Sequence, residues 1–130
     1  MQIISTEKAP KAIGPYSQGV TIAVNQPVAS LIFVSGQGAI QPEKNEYIPL
    51  SIAEETKIAL TNIQHILEEA GSDISKVVKT TVFLSDLNDF QAMNEVYATF
   101  FSLNPPARST IEASKLPKGF KVEIEAIAYR

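Results

Sequence analysis

The chain has 130 residues, of which 45 % are hydrophobic, and a net charge of −3. This length suits one domain covering residues 1–130, and no apolar run reaches the roughly 20 residues that cross a bilayer. With no cysteine and one histidine, the sequence excludes disulfides, a thiolate nucleophile, sulfur-ligated zinc and a histidine-rich metal cluster. The mildly acidic balance disfavours polyanion binding, and no export signal is recognised, so we expect a cytoplasmic protein.

Apolar and β-branched runs predict the elements in chain order. A short apolar start at 2–6 precedes strands at 20–24 and 31–36, of which the second is expected to be more buried. Ser51 and Glu54 form a capping-box pattern that opens a helix, and Gly71 is placed to end it. A central strand at 76–84 precedes a second helix with Phe90, Met93 and Tyr97 on its buried side, and the last two strands lie at 108–113 and 121–129.

This order predicts an α+β fold in which two helices cover one face of a mixed sheet of about six strands. The last strand shows how its two faces differ. One set of side chains is small or apolar and suits the helices, whereas the other is partly charged: Val122, Ile124, Ala126 and Ala128 alternate with Glu123, Glu125, Ile127 and Tyr129. The mixed face is typical of a subunit interface with polar pockets.

Arg108 is the most informative charged residue. It opens a predicted strand in which Arg108, Thr110 and Glu112 share a face. Because a guanidinium fork matches a carboxylate, Arg108 is a candidate clamp for an anionic small molecule. An interface ion pair is the alternative, and both interpretations remain open at this point; its candidate partners are Glu112, Glu123 and Glu125.

Three further features could contribute to a site, and each also has a structural interpretation. Glu123 could orient or deprotonate a water molecule, or pair with a lysine. The glycines of the stretch 35–38 would allow a close ligand approach, or form a turn. Tyr16 could cover a pocket or pack on the surface, whereas His65 is predicted to be a solvated surface residue.

Taken together, the motifs resemble the RidA family, also called the YjgF/YER057c/UK114 family. The similarity runs from about residue 3 to residue 130 and rests on the ordered stretches AIGPYSQG, FVSGQ, PPARST and LPKGFKVEIEAIA. It implies a chorismate-mutase-like fold and a homotrimer with a pocket at each subunit interface. It also implies hydrolysis of 2-iminobutanoate and 2-iminopropanoate to 2-keto acids and ammonia, without a metal or organic cofactor.

The resemblance assigns roles to individual residues. Arg108 matches the arginine that binds the substrate carboxylate, and Glu123 matches the acid that positions water. Tyr16, Ser35 and Gly36 match pocket residues, while Thr110 stands where many relatives have a cysteine that acts largely through its backbone. Between Gly38 and Pro49 the chain departs from the family pattern, in a segment expected to border the pocket mouth.

Two other functions compete with the deaminase hypothesis. The same arginine pocket could bind a small carboxylate without turnover. Some family members have been described as ribonucleases or translation inhibitors, but this chain lacks a basic stripe with interleaved aromatic residues. The expected partners are therefore a small imino or keto acid and two further copies of the chain, with no membrane and no nucleic acid.

Overall fold

The computed structural model describes residues 1–6, 8, 14–17, 19–22 and 30–130. Within these ranges the strands and helices follow one another as β1 (Gln2–Ile4), β2 (Gly19–Thr21), β3 (Leu31–Gln37), α1 (Ile52–Glu69), β4 (Val77–Leu84), α2 (Phe90–Phe100), β5 (Ala107–Glu112) and β6 (Val122–Tyr129). The predicted order of strands and helices is confirmed. The end of the strand predicted at 20–24 lies outside the described residues.

The main sheet has four strands in the order β3-β6-β4-β5. β4 and β5 are parallel and are joined through α2, whereas β6 is antiparallel to both β3 and β4. The prediction of about six strands in one sheet is wrong for the described chain, because β1 and β2 form a separate antiparallel pair. Local sequence pattern identifies a strand but not its partner, which is set by contacts distant along the chain.

The two helices pack side by side on one face of this sheet. The predicted capping box is present, since the Ser51 side chain accepts from the Glu54 amide and the Glu54 carboxylate accepts from the Ser51 amide. Gly71 follows the helix with φ of 73°, a left-handed conformation in which glycine is not strained. The core between helices and sheet includes Leu60, Ile63, Leu67, Val82, Leu84, Met93, Tyr97, Val122 and Ile124.

The opposite face of the sheet has no helix over it in the described chain, and it is partly apolar. Phe33 is 72 % exposed, Leu31 51 % and Ile111 49 %. In the single chain Val34 is the one fully buried residue of β3, and the predicted comparison with the strand at 20–24 lies partly outside the described residues. Leu31 and Phe33 are neighbours on β3, whereas Ile111 lies on the opposite edge strand β5. Exposed apolar side chains gathered on one face of a sheet indicate an interaction site.

No helix among the described residues combines the length and the apolar character that a membrane span requires.

Candidate functional site

Arg108 lies on the helix-covered face of β5. It is registered opposite Thr80 of β4, whose neighbour across the sheet is Ala126. From there the half-buried side chain reaches α2, where its Nη1 donates to Asn94 Oδ1 at 2.7 Å. This bond uses one of the five guanidinium donors and sets the orientation of the fork.

Three aromatic rings surround the Arg108 guanidinium. Its central carbon lies 4.7 Å from the ring centroid of Tyr97 and 5.5 Å from those of Tyr16 and Phe90. Burial lowers the pKa of Arg108, yet a guanidinium stays protonated in proteins. Burial also raises the pKa of Tyr97 to about 12, so this ring remains neutral beside the cation. The three rings therefore hold the positively charged Arg108 guanidinium in a fixed position.

Tyr16 reaches Arg108 because the residues around it extend the sheet at the β5 edge. Ser17 forms a parallel bridge with Ala107, and its amide donates to the Pro106 carbonyl at 3.0 Å. The Ser17 hydroxyl donates to the Pro105 carbonyl. Residues 14–17 of the first motif and the distant motif PPARST are thereby brought together.

The structure does not support an intrachain ion pair for Arg108 within the described ranges. Glu112 shares the face of Arg108, as predicted, but its carboxylate accepts from the Leu87 amide at 3.0 Å. Glu123 and Glu125 lie on the other face of the sheet, in register with Phe83 and Thr81. The ion pairs found in the described chain involve other residues, namely Lys76 with Asp73 and Lys121 with Glu55.

Thr110 lies two residues beyond Arg108 on the same face and is registered with Val82. Its hydroxyl oxygen is buried and has no hydrogen-bond partner among the described residues. A buried polar atom without a partner costs stability.

Glu123 lies beside the irregular end of β3. The register between β3 and β6 shifts between Val34 and Gln37, which leaves Gly36 against the Glu123 side chain. A methyl group at Gly36 would overlap the carboxylate in this orientation, so glycine permits the close approach. Glu123 is half-buried, and Ser35 and Gly36 are exposed.

The six predicted site residues thus form two groups. We call Tyr16, Arg108 and Thr110 the arginine half-site, and Ser35, Gly36 and Glu123 the glutamate half-site. The half-sites lie on opposite faces of one sheet, with β4 between β5 and β6. One chain therefore does not direct the Arg108 fork and the Glu123 carboxylate at the same small molecule.

Two surface depressions lie mostly away from both half-sites. Two adjoining grooves of about 390 and 700 Å³ flank α1, and the exposed His65 lines both. Of the predicted site residues, Gly36 alone lines one of these two grooves. The described residues form no group of three or more acidic or histidine side chains suited to a metal ion.

Sequence reasoning missed Asn94, which orients Arg108, and did not connect Phe90 and Tyr97 with the site. The sequence pattern places these two aromatic residues only on the buried side of the second helix. Asparagine is a poor helix former, and its place within an amphipathic helix was the one available signal.

Comparisons with known proteins agree with these motifs. The sequence model of the family described as Endoribonuclease L-PSP matches residues 6–130. A RutC family protein of Pyrococcus abyssi is 51 % identical over 129 residues, 99 % of this chain and 97 % of the relative. The 2-iminobutanoate/2-iminopropanoate deaminase of Rattus norvegicus is 50 % identical over 127 residues, covering 98 % of this chain and 88 % of that protein. The crystal structure of E. coli TdcF with bound serine superposes with a TM-score of 0.74 and a sequence identity of 41 %. The match covers 100 % of this chain and 99 % of the TdcF chain.

Proposed function

This chain belongs to the RidA (YjgF) family, whose model is described as Endoribonuclease L-PSP, and we propose that it hydrolyses reactive 2-imino acids to 2-keto acids and ammonia. 2-Iminobutanoate and 2-iminopropanoate are the expected substrates, in line with the name of the rat relative. The observation that supports the proposal best is the Arg108 guanidinium, which is oriented by Asn94 and enclosed by three rings.

Arg108 binds the substrate carboxylate. Its fork offers two parallel N–H donors to the two carboxylate oxygens, and each charge-assisted bond is worth about 1.5–3 kcal/mol when shielded from water. The bond to Asn94 and the rings fix the fork before the ligand arrives, so little side-chain entropy is lost on binding. The bound carboxylate in turn holds the adjacent imine carbon at a defined position.

Glu123 acts on the water that attacks this carbon. The water oxygen forms a bond to the imine carbon, the C=N π electrons move to nitrogen, and Glu123 accepts the water proton. In the protonated imine this attack leaves an NH2 group on nitrogen, which takes up the proton held by Glu123 and becomes an ammonium group. The C–N bond of the carbinolamine then breaks with its electron pair going to nitrogen, as the hydroxyl group returns a proton to Glu123 and becomes the carbonyl. Ammonia leaves and the 2-keto acid remains.

The complete site forms between two copies of the chain, in a homotrimer. The arginine half-site of one copy faces the glutamate half-site of the next, because a single sheet separates the two within each chain. The exposed Phe33, Leu31 and Ile111 give the uncovered face of the sheet the apolar surface that a permanent interface requires.

The enzymatic proposal is tested by trapping the imine. An amino-acid oxidase generates the 2-imino acid in the presence of semicarbazide, and formation of the semicarbazone is followed with and without this protein. We expect the wild type to suppress the semicarbazone and to raise the keto acid, and Arg108→Ala to do neither. The matched control is Arg130→Ala, since the chain has one other arginine, Arg130, which is exposed. An Arg108→Ala protein as active as the wild type would refute the clamp.

The shared site is tested by mixing two variants of strongly reduced activity. Arg108→Ala and Glu123→Gln each damage a different half-site, and the two proteins are refolded together from urea. Random assembly into a ring of heterologous interfaces leaves both halves intact at about one quarter of the sites, because each half is intact in half of the chains. Recovery of about that fraction of wild-type activity supports a site shared between copies. A mixture no more active than its components would contradict it.

Binding without turnover is the second candidate function. It is favoured by the bound serine in the related TdcF structure, which shows that this fold can hold a small carboxylate-bearing molecule. A binding module would retain 2-ketobutanoate in an Arg108-dependent manner and leave the rate of imine loss unchanged. RNA binding that falls steeply with salt and survives Arg108→Ala would instead favour the nucleic-acid role that the family description names.

A further inference from the structure

Glu55 is a fully buried carboxylate in the first turn of α1. Its exposed fraction is 0 %, although an acidic side chain is seldom buried unless it is paired. Oε1 accepts from the Tyr47 hydroxyl at 2.7 Å and from the Leu50 amide at 3.4 Å, and Oε2 accepts from the Lys121 amide at 2.8 Å. The carboxylate thus joins α1 to two separate segments, 47–50 and 119–121.

Further contacts tie the same two segments to each other. The Tyr47 hydroxyl also lies 3.0 Å from the Gly119 carbonyl oxygen, and its ring meets Phe120 edge-to-face with centroids 4.9 Å apart. The Lys121 ammonium donates to the Leu50 carbonyl at 2.5 Å and lies 3.7 Å from Glu55 Oε1. Removal of one partner from such a buried network leaves the others unsatisfied.

This network lies directly before the strand that bears Glu123. Lys121 precedes β6, and Glu123 is its second residue. Strand backbone advances only about 3.3 Å per residue, so a shift of the Lys121 amide moves the Glu123 backbone as well. β3 contacts the same region through two glycines, Gly36 within the strand and Gly38 directly after it. A side chain at Gly36 would meet the Glu123 carboxylate, and one at Gly38 would meet the Phe120 ring.

We propose that Glu55 is a positioning residue for the reaction, which holds the start of β6 so that the Glu123 carboxylate is aimed at the attacking water. This inference rests on the proposed deaminase function. Glu55 makes no contact with the arginine half-site among its hydrogen bonds and ion pair in the described chain. Its loss therefore affects the chemical step and leaves substrate binding unaltered.

The physical reason is the difference between the two half-sites. Arg108 contacts the carboxylate in the ground state and in the transition state alike, so it determines binding. The interaction of Glu123 with the attacking water strengthens only as the water loses its proton, so an error in its position lowers kcat.

The test compares Glu55→Gln with Glu54→Gln. Glutamine keeps the size of Glu55 but replaces one acceptor oxygen by an NH2 group, which cannot accept from Lys121 or Tyr47. Glu54 precedes it in the same helical turn but is exposed, and its carboxylate accepts from the Ser51 amide and hydroxyl. We expect Glu55→Gln to lower kcat about tenfold with KM within about twofold of the wild type, and Glu54→Gln to change neither.

A double-mutant cycle with Glu123→Gln separates positioning from general damage to the fold. If Glu55 acts through Glu123, Glu55→Gln has no further effect on kcat in the Glu123→Gln background. Tyr47→Phe, which removes one hydroxyl and little volume, should show the same pattern if Glu55→Gln does not fold. Thermal melts ensure that all rates are measured well below unfolding.

Each outcome is decisive. Equal losses of kcat in both backgrounds, or a rise in KM like that of an arginine half-site variant, would overturn the positioning role. If Glu123→Gln impairs turnover while Glu55→Gln and Tyr47→Phe do not, this inference fails and the proposed function stands. A wild-type protein without turnover would remove the proposed function, and the inference with it.

Discussion

Replacing Arg108 with lysine separates the effect of charge from that of shape. Lysine keeps the positive charge but has no planar fork, so it cannot present two parallel donors to a carboxylate. It also loses the geometry by which Nη1 donates to Asn94 at 2.7 Å. The three surrounding rings lie 4.7 to 5.5 Å from the guanidinium carbon, and they leave the ammonium in the same partly buried site.

The magnitude follows from the hydrogen bond that is lost. Loss of one of two charge-assisted bonds costs about 1.5–3 kcal/mol, which corresponds to a dissociation constant roughly 10 to 150 times higher. We expect this weakening for 2-ketobutanoate, the product of the proposed reaction. Asn94→Ala should weaken binding less, because it frees the fork but leaves both donors.

Isothermal titration calorimetry at neutral pH and physiological salt measures these constants. Arg130→Lys is the control, since the Arg130 guanidinium is exposed and donates to Ser30 Oγ and to the Ala70 carbonyl at 2.9 and 3.0 Å. A lysine variant at position 108 that binds within about threefold of the wild type would refute two-pronged recognition of the carboxylate.

Three further predictions concern stability and assembly. Thr110→Val removes a buried hydroxyl without a hydrogen-bond partner in the described chain, so it should raise the free energy of unfolding by about 1 kcal/mol in a urea titration. A decrease would show that the hydroxyl forms a hydrogen bond to another copy of the chain in the proposed assembly. Phe33→Glu places a charge on the exposed apolar face and should convert the proposed trimer to a monomer in analytical ultracentrifugation. The control Leu103→Glu changes an exposed residue in the loop before β5 and should leave the mass unchanged. Equal masses for both variants would remove this face from the interface. Burial raises the pKa of Tyr47 and of Tyr97 from the ordinary value of 10.0 to about 12. Between these two pH values the folded state keeps protons that the unfolded state has lost, so the free energy of unfolding should fall as pH rises from about 10 to about 12. Tyr47→Phe should reduce that slope and the fraction of tyrosinate absorbance that appears near pH 12, and an unchanged titration curve would contradict the assignment.

Local chemistry in the sequence was sufficient for the elements and for single faces. Ser51 with Glu54, and Gly71, define the ends of α1 because caps act within one helical turn. The alternation of β6 separates its buried set from Glu123, and the two-residue spacing of Arg108 and Thr110 places them on one face. These properties depend on backbone geometry that neighbouring residues share, so they can be predicted without the fold.

Only the tertiary structure determined how these faces are combined. The registers of β4 with β5 and β6 place Arg108 and Glu123 on opposite sides of the sheet. The packing of α2 on the sheet brings Asn94 to Arg108, and the burial of Glu55 depends on segments 8 and 66 residues away along the chain. A charged side chain is compatible with either face until its partners are known, and those partners are brought together by strand pairing and helix packing between distant parts of the chain. For that reason the sequence alone identified the chemical groups of the candidate site, while the structure determined which of them can act together within one chain.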